Sequence, residues 1–174
     1  MFASSVIDAN STGINKDGSG INPSRLNGNN ALGAADGAFY SLGFGGSLTL
    51  AFDNMIGNGE ITVWETTGGN YPLELAEIYL WDTVGAAWEY AGSVTNSPQG
   101  GQSLLVAGLC DTGCSSLRIV DASNPALHND AADGFDVNAI SVQSYDGPTP
   151  TDVPAPASLA LLGLGLAGLG VARR

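Results

Sequence analysis

Positive charge is nearly missing from this chain. Five lysines and arginines stand against 17 aspartates and glutamates. Before residue 153 the basic residues are Lys16, Arg25 and Arg118 alone, so residues 1–152 carry all 17 acids and a net charge of −14. Such a surface repels a phosphate backbone, and no basic groove or stripe can be assembled from three cations, so nucleic acid is excluded as a partner. Histidine occurs once, as His128, in a polar stretch that reads as a surface loop. Neither a Gly-x-Ser-x-Gly elbow nor a His-Glu-x-x-His zinc motif is present, which removes two common hydrolytic machineries. Helical periodicity is also wanting: no stretch before residue 157 repeats its apolar residues at 3.6 over ten positions.

Cysteine is scarce, with only Cys110 and Cys114, in Cys-Asp-Thr-Gly-Cys. Two thiols four apart lack the further ligands of a structural zinc site and do not make a Cys-x-x-Cys redox motif. In an exported chain they are expected to form a disulfide across a small turn, with Gly113 permitting the tight return. A free thiol pair in a reducing compartment is the alternative.

Glycine is abundant, with 25 residues, and marks turns between short alternating stretches. Strand candidates are Ser4–Asp8, the stretch leading to Leu42, Ser47–Phe52, Glu60–Thr66, Leu75–Leu80, Ala87–Val94, Ser103–Ala107, Ser116–Val120 and Val137–Val142. In Leu75–Leu80, Ala76, Ile78 and Leu80 point inward while Glu77 and Tyr79 point out; Ala87–Val94 carries Trp88 and Tyr90 on one side. Eight or nine short strands with frequent turn signals predict an all-β fold, an antiparallel β-sandwich of jelly-roll type, over residues 1–145. A Pro/Thr linker is expected over 146–156 and a hydrophobic helix over 157–174.

Few groups in the domain suggest chemistry. Asp130, Asp133, Asp136 and Asn138 crowd into Asp-Ala-Ala-Asp-Gly-Phe-Asp-Val-Asn. If Phe135 points inward, Asp136 and Asn138 share the other face, with Asp133 in the turn before them. Asp36 would join them if the early loop folds over the same edge. Asp36, Asp133, Asp136 and Asn138 are therefore candidate ligands for a structural Ca²⁺, which takes six to eight oxygens; turn-forming Asp and Asn suit the same positions. Glu60, Glu65, Glu74, Glu77 and Glu89 could supply a glycosidase pair, but most are expected on outward, solvated strand faces. Of Trp64, Trp81 and Trp88, at least two are expected in the core. Trp81, beside Asp82 at a strand end, is the candidate for stacking on a sugar ring.

The C-terminus differs from all this. Val153-Pro154-Ala155-Pro156 precedes an uncharged run rich in leucine and glycine, which ends in Arg173-Arg174. As a helix, Ala157–Ala172 would span roughly 24 Å, and the arginines could snorkel to headgroups at its end. Terminal arginines would hold that end in the cytoplasm and leave the domain outside. The arrangement resembles the PEP-CTERM sorting tail of bacterial surface proteins, with Ala155 where that family usually has Glu. The resemblance implies delivery to the bacterial inner membrane, recognition of Val153, Pro154, Pro156, Arg173 and Arg174 by an exosortase-type membrane protease, and release to the cell surface or extracellular matrix. An export leader is then expected upstream of Met1.

A second resemblance covers roughly residues 28–143. Ala31-Leu-Gly-Ala-Ala-Asp-Gly37 followed by Ser41-Leu-Gly-Phe-Gly-Gly46, with Ile61-Thr-Val-Trp-Glu65, Leu117-Arg-Ile-Val-Asp121 and Asp133-Gly-Phe-Asp136, is similar to discoidin-like, galactose-binding-like jelly rolls. These bind carbohydrate or other ligands at one end and often hold structural calcium. Together the two resemblances imply an exported, non-catalytic protein that binds extracellular polysaccharide or a protein. The alternatives are a secreted carbohydrate-active enzyme and a calcium-dependent adhesion module.

Overall fold

The computed structural model of the chain describes residues 1–66, 72–96 and 101–147. The turn expected at Gly68–Asn70, the loop at 97–100 and the C-terminal sorting segment with its helix lie outside the described residues. Among the described residues nine strands form: β1 (Ala3–Asn10), β2 (Tyr40–Ser41), β3 (Ser47–Ile56), β4 (Gly59–Glu65), β5 (Leu75–Asp82), β6 (Ala87–Thr95), β7 (Gln102–Val106), β8 (Cys114–Asp121) and β9 (Asp136–Ser141). They assemble into a five-stranded sheet in the order β1-β3-β8-β5-β6 and a four-stranded sheet in the order β2-β9-β4-β7. Every strand pairing is antiparallel. This is the β-sandwich that the alternation implies.

The core lies between the sheets and comes from one side of each strand. Leu48, Leu50 and Phe52 of β3, Ala76, Ile78 and Leu80 of β5, and Leu117 and Ile119 of β8 meet Ile61 and Val63 of β4 and Val137 and Ile140 of β9. Burying each large aliphatic side chain contributes about 1.5–3 kcal/mol before the cost of ordering it. The strand β3 runs further than expected. Asp53 to Ile56 belongs to it rather than to a turn, because the chain crosses an irregularity after Ala51 and re-enters the ladder at Ile56, opposite Cys114. Ile56 is fully buried there.

The Cys110–Cys114 disulfide is formed, with Cα atoms 5.2 Å apart. The Gly113 N–H donates to the Cys110 carbonyl at 3.0 Å with Gly113 at φ +84°, so the glycine makes the tight return. Closing so small a loop stabilises by about 2 kcal/mol in the chain-entropy description.

Long-range packing overturns two expectations from local pattern and qualifies a third. None of Trp64, Trp81 and Trp88 is in the buried core; each is half-buried on an outer face. His128 is not a surface residue but 4 % exposed. The 122–135 loop folds back on the chain after β1, where the Lys16 ammonium donates to the His128 carbonyl at 2.6 Å and the Phe44 ring meets the imidazole edge-on. Glu65 and Glu74 are buried, whereas Glu60 and Glu89 are exposed and Glu77 faces outward.

Candidate functional site

The strands β5 and β6 form a hairpin whose turn is tied by Asp82. One Asp82 oxygen accepts from the Val84 N–H at 3.0 Å and the other from the Gly85 N–H at 2.7 Å. This closure sets the register so that Trp81 faces Trp88 and Tyr79 faces Tyr90. With Ala76, Ile78 and Leu80 committed to the core, the pleat drives Tyr79 and Trp81 to the outer side of the five-stranded sheet. A bulge follows Tyr90, and Gly92 sits in it at φ +144°, a conformation that other residues rarely adopt.

The four rings make two cross-strand pairs. Trp81 and Trp88 lie with centroids 5.3 Å apart and planes at 69°; Tyr79 and Tyr90 lie 5.5 Å apart at 61°. Edge-to-face contacts of this kind hold ring orientation and contribute about 0.5–1.5 kcal/mol each beyond burial. The rings remain open to solvent on their other sides, and Tyr90 is 53 % exposed.

Arg118 enters from β8, opposite Tyr79. Its guanidinium lies 4.6 Å from the Trp88 ring centroid, and its Nε donates to the Thr49 hydroxyl at 3.3 Å. Tyr79, Trp88, Arg118 and Val120 line an open depression of about 290 Å³. The Tyr79 hydroxyl donates to Glu77 Oε2 at 2.6 Å, and this bond holds the phenol proton and pushes its pKa up. The face thus offers π surfaces, a cation and a fixed hydroxyl–carboxylate pair.

Trp81, the sequence-based candidate for sugar stacking, lies on this face. Trp64 does not: it belongs to the other sheet and packs against Phe2 at 5.5 Å. The alternation places Tyr79 outward and puts Trp88 and Tyr90 on one side of their strand; folding the hairpin about its turn brings that side outward, with Trp88 outside the core. Nothing local in the sequence places Arg118 beside Trp88.

The calcium candidates meet on the other sheet. Asp136 and Asn138 share the outer side of β9, and Asp36 reaches them through its N–H, which donates to Asn138 Oδ1 at 3.2 Å. Their oxygens are engaged elsewhere. Asp136 accepts from the Ser41 hydroxyl at 2.6 Å, Asp133 forms an ion pair with Arg25, and Asp36 accepts from the Ala38 N–H at 2.8 Å. Arg25 also donates to Ser41 at 3.1 Å. A guanidinium amid these carboxylates already supplies the positive charge, and among the described residues no three His, Cys, Asp or Glu side chains gather as a ligand set. The arrangement does not fit a Ca²⁺ shell. Burial pushes the Asp136 pKa up to about 7, against the opposing effects of Ser41 and Arg25. Asp121, which accepts from the Gly45 and Phe135 N–H groups and the Ser123 hydroxyl, is also raised by burial.

Among known proteins, residues 152–174 match the PEP-CTERM protein-sorting motif. The chain therefore carries the C-terminal sorting signal of exported proteins. Among the described residues no helix is long and apolar enough to cross a membrane. No curated protein matches the sequence significantly. Of solved structures, a truncated AlyQ with CBM32 and alginate lyase domains superposes with a TM-score of 0.51 at 13% identity, covering 89% of this chain and 37% of that one. A pectin binding carbohydrate binding module gives 0.48 at 15% identity over 70% of this chain and 83% of its own. The GH31 CBM32-2 bound to GalNAc gives 0.43 at 11%, over 83% and 99%. At such identities the AlyQ likeness is one of fold, an all-β sandwich.

Proposed function

We propose that this is an exported surface or matrix protein whose β-sandwich binds an extracellular polysaccharide through the aromatic outer face of the five-stranded sheet. The observation that carries this reading is the pairing of Trp81 with Trp88 and of Tyr79 with Tyr90 on an uncovered face, beside Arg118. Four aromatic rings left in partial contact with water cost hydrophobic free energy that burial would recover, and contiguous exposed apolar surface of this kind marks binding sites. A sugar ring has an apolar C–H side that covers an aromatic face and a hydroxyl rim that reaches flanking donors and acceptors. The outer face supplies both.

A binding role is favoured over turnover by what the face contains. Its carboxylate, Glu77, already accepts the Tyr79 hydroxyl, and glycoside hydrolysis needs two carboxyl groups roughly 5–9 Å apart across the scissile bond. The sorting signal supports a route in which the tail brings the protein to the bacterial inner membrane, and an exosortase-type protease processes it there before surface or matrix delivery. The sandwich of carbohydrate-binding modules among similar folds agrees with this reading.

A glycan array probed with the full chain in mild detergent, with and without EDTA, tests the proposal. Binding to polysaccharide that survives EDTA and is lost in the Trp81→Ala/Trp88→Ala double variant is the expected result. Binding that disappears in EDTA would restore calcium as a component. A silent array, or a protein ligand captured independently of the two tryptophans, would overturn the proposal.

A further inference from the structure

We infer that the ligand of the aromatic face is an acidic polysaccharide, whose uronate carboxylates are taken by Arg118. The inference rests on the binding role proposed above and deepens it.

The three cations of residues 1–152 are used differently. Lys16 donates to the His128 carbonyl and lies 3.8 Å from Asp130. Arg25 is paired with Asp133, bonded to Ser41 and laid over Phe39 at 5.1 Å. Arg118 alone has no carboxylate within ion-pair distance among the described residues, in a domain that holds 17 of them. Its neighbours orient it without neutralising it: Thr49 takes the Nε–H, and the Trp88 ring lies under the guanidinium plane. Five N–H donors in a rigid fork are available to an arginine, and Thr49 occupies one. The remaining four sit on the two Nη atoms, the pair that matches a planar carboxylate in bidentate geometry.

The cation also borders the depression of about 290 Å³ that Tyr79 and Trp88 line, close to the lower end of small-molecule sites at ~300 Å³. A sugar unit on the rings therefore brings a substituent at its edge within reach of Arg118. A hydroxyl there would leave the charge unmatched, whereas a carboxylate answers both the charge and the fork. The acidity of the domain does not forbid this. At physiological salt, charges more than about 8 Å away are largely screened, while a contact pair at the surface is screened much less.

The test compares three immobilised polymers: polygalacturonate, its fully methyl-esterified form and a neutral β-glucan. The ester keeps the sugar ring and removes the charge. Wild-type chain is expected to hold the acid at least tenfold more tightly than the ester. Arg118→Gln should bring that ratio close to one, and Arg118→Lys, which keeps the charge but loses the fork, should leave it in between. Thermal melts of both variants establish that they are folded. Equal affinity of the wild type for acid and ester, or a ratio unchanged in Arg118→Gln, would overturn the inference while leaving polysaccharide binding in place. Failure to hold any of the three polymers, with a silent glycan array, would overturn both.

Discussion

The two outer faces of the sandwich are treated in opposite ways. Over the four-stranded sheet, the segment between β1 and β2 folds back so that Asp136 to Ile140 of β9 are buried on both sides. The polar groups trapped there satisfy one another through Arg25, Ser41, Asp133, Asp136, Asn138 and the Asp36 backbone. Over the five-stranded sheet nothing from the described chain covers β5, β6 and β8, and Tyr79, Trp81, Trp88, Tyr90 and Arg118 stay within reach of solvent. One face carries a closed polar network with internal partners; the other carries open aromatic rings beside Arg118, which has no carboxylate within ion-pair distance among the described residues, and is where the proposed ligand would lie.

The contrast can be broken from either side. The largest effect is expected from Arg25→Ala. Removing one partner of a buried ion pair strands Asp133, and with Arg25 itself still partly exposed the cost falls near the low end of the range for such pairs, about 3 kcal/mol. Chemical denaturation should show this as a lowered midpoint, and polysaccharide binding by the folded fraction should stay at the wild-type level. The Trp81→Ala/Trp88→Ala pair should do the reverse. Polysaccharide affinity is expected to drop about a hundredfold, near 2.7 kcal/mol, in line with truncation of central aromatic anchors, while stability changes less because both side chains are half-exposed.

The closed face should also report on pH. The carboxyl of Asp136 titrates near 7 in the folded chain and near 3.8 when unfolded, so the folded state holds the proton more tightly. Its contribution is fully present below pH 3.8 and is lost as pH rises through 7, a fall of a few kcal/mol at most. Asp121 acts in the same direction. Melting temperature measured between pH 8 and pH 5 should therefore rise as the pH drops, and Asp136→Asn should flatten that slope. The smallest effect belongs to Tyr90→Ala. With the ring half-exposed, the expected stability change is within about 1 kcal/mol and the loss of affinity a few-fold, both measurable by denaturation and titration calorimetry.

Much of this architecture was legible from local pattern. Alternation in Leu75–Leu80 assigns inward and outward residues correctly, and alternation in Ala87–Val94 puts Trp88 and Tyr90 on one side, which the hairpin sets opposite Trp81 and Tyr79. The short spacing of Cys110 and Cys114, with Gly113 between, foretold the disulfide. Even the meeting of Asp36 with Asn138 could be posed as a condition on the early loop. What local pattern cannot carry is which group a distant strand or loop delivers. Arg118 lies 30 positions from Trp88 and reaches it only because β8 pairs with β5. Arg25 pairs with Asp133 across 108 positions, a partner that the run from Asp130 to Asn138 does not reveal. Similarly, His128 and Glu74 look solvated in sequence and are buried by loop packing. The tryptophans misled for the converse reason: size and hydrophobicity favour the core, yet all three sit half-buried on outer faces.

The three tryptophans permit a direct reading of the central claim, because Trp64 on the other sheet serves as an internal reference. Indole N–H signals of the folded chain can be followed by NMR during titration with an oligogalacturonate. The account predicts that the signals of Trp81 and Trp88 shift together and saturate with the binding isotherm while Trp64 stays in place. Saturable binding with Trp81 and Trp88 unmoved would contradict it.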